Sequence, residues 1–517
     1  MEAITDQKNI LERFLAWKRW IWVVWILGII LVCVQIEFRP LDRDEGFYLY
    51  GAWRTFLGEM PYQDYFYPQA PYLPYIYAPV VGLVQDGILG GRVLSAIFAI
   101  ALAMLLARYL SRRTGNHRLG MVAGGLMLFG DLSLFWHSAV KTYAVSDLSF
   151  FGGFVLLMAV FKGRQVNKVF IFSLLSGILF AVSFHIRLVL AGSVLYLCLL
   201  SLLAPGQWRF QRFLGLVLGM IIASVPAFLL FIKNPSRYWF ENLTFHVTAR
   251  LPEPWWKFAI WKISALANYL TSPDILILVI LCVIGMRILT KNREFLKNFR
   301  SEIWMGIGFF GILFATYLSA PTLLPQYLVQ LSPFLIMGAV AGVAAVVKKP
   351  KGTIGALIVL LMLLIYGGWG VGKTVGRVVE RQDLAPLYGM KTVREVGQYL
   401  REWCQVSPPD TSYFQSNTGQ PILTFWPAYL VAGRCNPIPG TDFGRPSFRL
   451  ERRNSSDKIH VVGLKTYDDY KQLIIDKIPP LVVTGFDTPL DFFPVMDNLY
   501  RLEKEIRGVK VFVRLEP

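Results

Sequence analysis

The sequence predicts a polytopic α-helical membrane protein carrying a small α/β domain at its C-terminus. Three observations carry that expectation: an apolar composition, a succession of long apolar runs, and a sidedness in where the basic residues fall. Of 517 residues, 55% are hydrophobic and 17% are charged, whereas a soluble domain carries roughly 25% charge. Runs such as "RWIWVVWILGIILVCVQIEF" (19–38) and "SPDILILVILCVIGMRIL" (272–289) reach the about 20 residues that cross a hydrocarbon core.

Taken in order, the hydropathy pattern predicts about eleven spans. They fall near 20–37, 92–110, 119–136, 147–161, 169–184, 188–204, 213–232, 272–289, 303–318, 328–347 and 353–372. The first run has no small-residue cleavage site after it, so it reads as a retained span and not as a signal peptide. The segments on the N-terminal side hold twenty-one basic residues against five acidic ones, while the rest of the chain to 372 holds eleven and twelve. The positive-inside rule then puts the N-terminus in the cytoplasm and the tail outside. The net charge of +18 is accounted for mainly by this sidedness and does not indicate a nucleic-acid partner.

The outer segments are unequal. Segment 38–91 is long and acidic; 233–271 is long and aromatic, and "FAIWKISALANYL" (258–270) reads as an interfacial helix. The inner segments leave no room for a cytoplasmic catalytic domain. Residues 1–372 form the transmembrane catalytic domain in this reading, and 373–517 the outer α/β domain. In the tail, "LYGMKTVREVGQYLREWC" has helical periodicity, whereas "PPLVVTGF" (479–486) and "VKVFVRL" (509–515) read as strands. Cys33, Cys198 and Cys282 lie in spans and read as packing residues. Cys404 and Cys435 lie in the tail, where an oxidising compartment permits a bridge; spacing alone leaves that pairing open.

"DRDEGFYLYG" (42–51) places four charges just beyond the first span. Such charges commonly flank a span or cap a helix. A carboxylate at the bilayer surface is also well placed to take a proton from an acceptor hydroxyl. The sequence continues as "DEGFYLYGAWRTFLGEMPYQDYFYPQAPYLPYIYAPV", with "GRVLSAIFA" opening the second span.

This stretch resembles the first outer loop of the GT-C membrane glycosyltransferases, closest to the protein O-mannosyltransferase and lipid A aminoarabinose transferase group. The resemblance implies transfer of a sugar from a polyprenyl-phosphate donor to a lipid, glycan or protein acceptor on the outer face of the cytoplasmic membrane. It places the catalytic acid residues at Asp44, Glu45 and Asp64, with Asp44 as the base. Gln69, in "PQAPYLPY", stands where the aminoarabinose-transferase pattern has a lysine in Lys-Pro-Pro-Leu. Other cations are then needed for the donor phosphate, and Arg187 ranks first and Lys141 second, with Gln69 as a further contact. Asp147 is a candidate neutraliser of Lys141. His137, Gln326, Tyr327 and Tyr67 are candidates for touching donor or acceptor.

No ligand spacing among the histidines indicates a metal; a divalent ion, which some relatives use beside this loop, would fall near Asp44 and Glu45. The predicted function is an inverting membrane glycosyltransferase. The alternatives are a transporter or flippase of lipid-linked sugars, which predicts charges at mid-span and paired broken helices, or an oligosaccharide polymerase or ligase, which predicts a large late loop.

Overall fold

A computed structural model describes residues 18–161, 166–204, 206–248, 254–291, 293–319, 323–347, 353–384, 386–404, 421–444, 447–448, 450–451 and 456–515. The first long helix, α1 (Lys18–Phe38), leads into a short amphipathic one, α2 (Arg43–Phe56). The α2 helix starts where it does because Asp42 caps it. The Asp42 side chain accepts from the Asp44 N–H, and Glu45 reaches back to the Asp42 N–H, closing a capping box. It stops at Leu57, ahead of Gly58, whose φ of 91° suits glycine alone. The apolar helix α3 (Tyr72–Leu83) follows, then α4 (Gly87–Thr114), capped by Asp86 and ended by Gly115 in the left-handed region.

The chain continues through α5 (His117–Phe129), α6 (Asp131–His137), α7 (Thr142–Val160), α8 (Val166–Ile186), α9 (Ala191–Leu203) and α10 (Arg209–Lys233). Short helical turns over Pro235–Thr248 lead to α11 (Trp255–Thr271), α12 (Pro273–Lys291), α13 (Arg293–Ser319), α14 (Ser332–Val347) and α15 (Thr353–Leu384). Among the described residues seven helices are long and apolar enough to cross a membrane. The number rises to nine if α5 with α6, bent by 67°, and α11 with α12, bent by 75°, each count as one span. The difference from eleven has a local cause. The runs 188–204 and 328–347 both open on 3₁₀ turns, Leu188–Leu190 and Pro325–Leu331, so their α-helices are only 13 and 16 residues long. The segment expected to lie at the interface, 258–270, is most of α11, which joins α12 at a sharp bend.

The tail supplies α16 (Met390–Cys404), β1 (Leu423–Thr424), α17 (Ala428–Gly433), α18 (Ser456–Val461), α19 (Tyr467–Ile475), β2 (Leu481–Val483), α20 (Phe493–Leu499), β3 (Tyr500–Ile506) and β4 (Val509–Arg514). The sheet order is β1-β2-β4-β3, with β1 parallel to β2 and the other pairs antiparallel. Leu423 sits opposite Val482, and Val482 opposite Phe512, so one apolar row runs across the sheet. The α16 helix buries Val393, Val396 and Leu400, the face its periodicity predicts.

The loop between α1 and α4 and the tail share one core. Phe47, Tyr48, Trp53 and Tyr67 from the loop belong to the same buried cluster as Trp426, Tyr429, Val483 and Val511. A disulfide joins Cys404 to Cys435 with Cα atoms 5.5 Å apart, closing the question that spacing left open. Replacing both cysteines by serine is expected to lower stability by about 2–4 kcal/mol, read as a drop in unfolding temperature of the purified protein.

Candidate active site

The four charges of the acidic stretch are used in four different ways. Glu45 is fully buried. Its carboxylate accepts from Arg92 Nε at 2.7 Å and Nη2 at 2.8 Å, from Arg39 Nη1 at 3.0 Å, and from the Val140 N–H at 3.1 Å. Arg92 also donates to the carbonyls of Ile36 and Arg39, so this cluster ties α2 to the C-terminal end of α1 and the N-terminal turns of α4. Burial works against the charge of Glu45, but Arg92 and Arg39 outweigh it and hold the carboxyl down to about 2, against an ordinary 4.5. A depressed carboxyl stabilises the fold above its unfolded value and loses that contribution as pH falls. Melting temperature is therefore expected to fall between about pH 4.5 and pH 2 in the wild type, and less steeply in Glu45→Gln, by thermal unfolding across that window.

Asp42 is the helix cap, and its Oδ1 also receives Lys141 Nζ at 2.6 Å. Burial raises its carboxyl, but Lys141 and Arg39 together prevail and hold it below the usual range. Arg43 points the other way, to Asp487 of the tail at 2.5 Å. Asp44 alone remains open. Its side chain is 59% exposed, and one oxygen lies 3.2 Å from Lys141 Nζ. Of the four, it is the carboxylate that can reach an incoming hydroxyl.

Lys141 is buried at the N-terminal end of α7, between Asp42 and Asp44 and over the Trp136 ring at 4.6 Å. Burial would lower its pKa, yet Asp44 and Asp42 more than compensate and raise it. It is a neutralised cation, and its partners are these two carboxylates; Asp147, considered from the sequence as its counter-ion, is engaged elsewhere. Asp147 lies 2.8 Å from His137 Nε2 and accepts from Gln330 Nε2 at 3.0 Å, all three being buried.

Arg187 sits in the connection between α8 and α9. Nε donates to Gln330 Oε1 at 3.2 Å, Nη1 to Thr142 Oγ1 at 2.8 Å, and Nη2 to the Tyr317 hydroxyl at 3.3 Å. Its guanidinium lies over the rings of Tyr143 at 4.4 Å and Tyr327 at 5.2 Å. No carboxylate among the described residues pairs with it directly. Three neutral acceptors fix the fork, which leaves two of its five N–H groups without an acceptor among the described residues. Lys141, paired with Asp44, and Thr142, bonded to Arg187, are consecutive residues at the start of α7, so the open carboxylate and the guanidinium flank the same turn.

Each of the other sequence candidates has its own partners. Asp64 accepts the Met60 N–H within an exposed turn. Gln69 donates its backbone N–H to Tyr67, and neither Gln69 nor Gln326 forms a side-chain hydrogen bond to Asp44, Lys141 or Arg187 among the described residues. Tyr67 is fully buried, its ring packed against Phe47, Tyr48 and Tyr65. His137 is buried on Asp147. Tyr327 does reach the site, and Gln330, one helical turn beyond Gln326, is the residue that orients Arg187. Gln330 was missed because, of the two glutamines in "PQYLVQLSPFL", it lies deeper in what reads as an apolar helix start; its polarity inside that run was the available signal.

One ammonium group sits on both aspartates and two guanidinium groups occupy Glu45. Among the described residues no group of three or more His, Cys, Asp or Glu is arranged to hold a metal.

The fold is that of a multi-pass membrane protein of the GT-C class. Two solved structures carry the likeness over nearly the whole chain. ArnT from Cupriavidus metallidurans bound to undecaprenyl phosphate superposes with a TM-score of 0.66 at 14% identity, covering 97% of this chain and 99% of that one. The apo state of the same enzyme gives 0.64 at 13%, covering 96% and 98%. The Archaeoglobus fulgidus oligosaccharyltransferase complex with Zn and sulfate gives 0.46 at 12%, covering 89% and 67%. No family model matches the chain, and no curated protein matches it in sequence. The resemblance drawn from the first loop is thus borne out for the fold.

Proposed function

We propose that the protein is an inverting membrane glycosyltransferase that moves a sugar from a polyprenyl-phosphate donor to a hydroxyl-bearing acceptor at the outer surface of the cytoplasmic membrane. The observation that carries this reading is the pairing of an open carboxylate, Asp44, with an uncompensated guanidinium, Arg187, in one site at the outer ends of the helices. Asp44 removes the acceptor proton; the acceptor oxygen attacks the anomeric carbon, and the bond to the phosphate oxygen breaks. Arg187 takes the charge that develops on the departing lipid phosphate, held in place by Gln330, Thr142 and Tyr317. Glu45 acts on the backbone: with its oxygens on Arg39, Arg92 and Val140 it fixes the helix that carries Asp44. Lys141 holds the Asp44 carboxylate in place by its ion pair. A structural relative crystallised with undecaprenyl phosphate supports a polyprenyl-phosphate carrier as the donor class.

Removing the charge tests the phosphate assignment. Arg187→Met is expected to weaken binding of polyprenyl phosphate at least tenfold, because a charge-assisted bidentate contact contributes about 1.5–3 kcal/mol. The measurement is thermal stabilisation of the purified protein titrated with the lipid. Unchanged affinity in a folded Arg187→Met protein would remove the phosphate role from this residue. Turnover with and without EDTA settles whether a divalent ion takes part.

A further inference from the structure

The tail touches the acidic helix at the positions flanking Asp44, and each contact is a directed one. The Arg43 guanidinium meets the Asp487 carboxylate at 2.5 Å, and the Asp487 side chain is only 3% exposed. The Trp426 indole N–H donates to the Arg43 carbonyl at 3.1 Å. The Leu41 N–H donates to the Tyr388 carbonyl at 2.9 Å. At Gly46 the two backbones approach so closely that an added Cβ would lie 2.8 Å from the Ala428 Cβ and 2.8 Å from the Trp426 indole nitrogen. Residues 41, 43 and 46 are therefore held from the tail, and Asp44, between them, is not.

The tail side of this contact is itself rigid. Asp487 follows β2 in a tight turn with φ of 70°. Across that turn Thr484 N–H donates to the Lys510 carbonyl and Gly485 N–H to the Thr488 hydroxyl. Phe486 packs its ring 5.0 Å from both Trp426 and Tyr388, and the Arg43 guanidinium lies 5.4 Å from it.

We infer that the tail is a working part of the transfer site: Asp487 and Trp426 are positioning residues that set the first turn of α2 and thereby aim the Asp44 carboxylate. The inference rests on the reading of Asp44 as the base. Glu45 with its arginines fixes the inner side of that turn, and the tail fixes the outer side. An exposed carboxylate with a single lysine contact is placed only as well as its backbone, so a small rotation of the turn carries the base out of line with the acceptor oxygen. Arg187 is set by other elements, so donor affinity does not depend on this clamp.

The test compares Asp487→Asn and Trp426→Phe with wild type and with Glu395→Gln, which breaks the Arg507–Glu395 pair on a part of the tail away from the α2 helix. Two measurements are made on folded protein: steady-state turnover, and hydrogen–deuterium exchange of the backbone over residues 42–48 by mass spectrometry. Both clamp variants are expected to lower kcat by about tenfold or more, as misplacement of a reacting group does. Donor KM is expected to stay within about twofold, and exchange over 42–48 to accelerate. Glu395→Gln is expected to match wild type in each. Clamp variants that keep wild-type kcat, or that keep wild-type exchange over 42–48, overturn the inference. If Asp44→Asn turns over at the wild-type rate, the base assignment fails separately, and the exchange arm still reports whether the tail fixes the turn.

Discussion

Asp44→Asn is expected to lower turnover by a factor of about 10²–10⁴, the range over which a positioned general base contributes, while the protein stays folded and binds donor lipid as before. The reason lies in how the neighbouring charges are used. Asp42 caps the helix and holds Lys141, Arg43 is bound to the tail, and Glu45 is buried under two arginines. An amide at 44 keeps the size of the side chain and can still accept from Lys141, but it cannot take a proton from a hydroxyl. The loss should fall on kcat, with donor KM little changed, because Arg187 and its three supports are untouched. Turnover rate and donor affinity measured on the same folded preparation check this. A fall in both together would indicate that Asp44 serves the structure and not the chemistry.

Glu45→Ala is expected to be the most destabilising single change in the acidic loop, by about 3–5 kcal/mol, the range seen when one partner of a buried ion pair is removed. Its carboxylate balances two guanidinium groups whose side chains are 1% and 0% exposed. Removal leaves both charges buried without a carboxylate and leaves the Val140 N–H without its acceptor. Compensation should be visible in a double variant: Arg92→Met in the Glu45→Ala background removes one stranded charge and recovers part of the loss. Unfolding midpoints in detergent give both numbers. An unchanged midpoint in Glu45→Ala would contradict the buried triad.

The sequence made the apolar helices and the outer acidic loop legible for separate physical reasons. A span must be apolar along about twenty residues, so composition alone announces α1, α4 and α10. Less of the sharply bent pairs could be read, because hydropathy carries no direction: 119–136 is apolar whether straight or bent at Gly130. Strands β2 and β4 could be read from their buried valines. By contrast β3, "YRLEKEI", is an edge strand with five consecutive exposed residues, and its polar composition hides it. In the site, Arg187 stood out because positive charge is scarce on that side of the chain, and Asp44 because it opens the loop that carries the resemblance. Glu45 looked like a second catalytic acid because sequence shows a carboxylate but not the Arg39 and Arg92 that close around it from six and forty-seven residues away. The contacts of Trp426 and Asp487 to the acidic helix depend on tertiary approach alone, which no local pattern encodes.

The central claim is that this chain transfers a sugar from a polyprenyl-phosphate carrier. Its most direct test is incubation of the purified protein with a panel of polyprenyl-phosphate sugars radiolabelled in the sugar, together with a membrane extract as the acceptor source. The measurement is the loss of label from the lipid fraction. The account predicts label loss from at least one donor with wild-type protein and retention of that label with Asp44→Asn. Retention of label on every donor by the folded wild-type protein would contradict it.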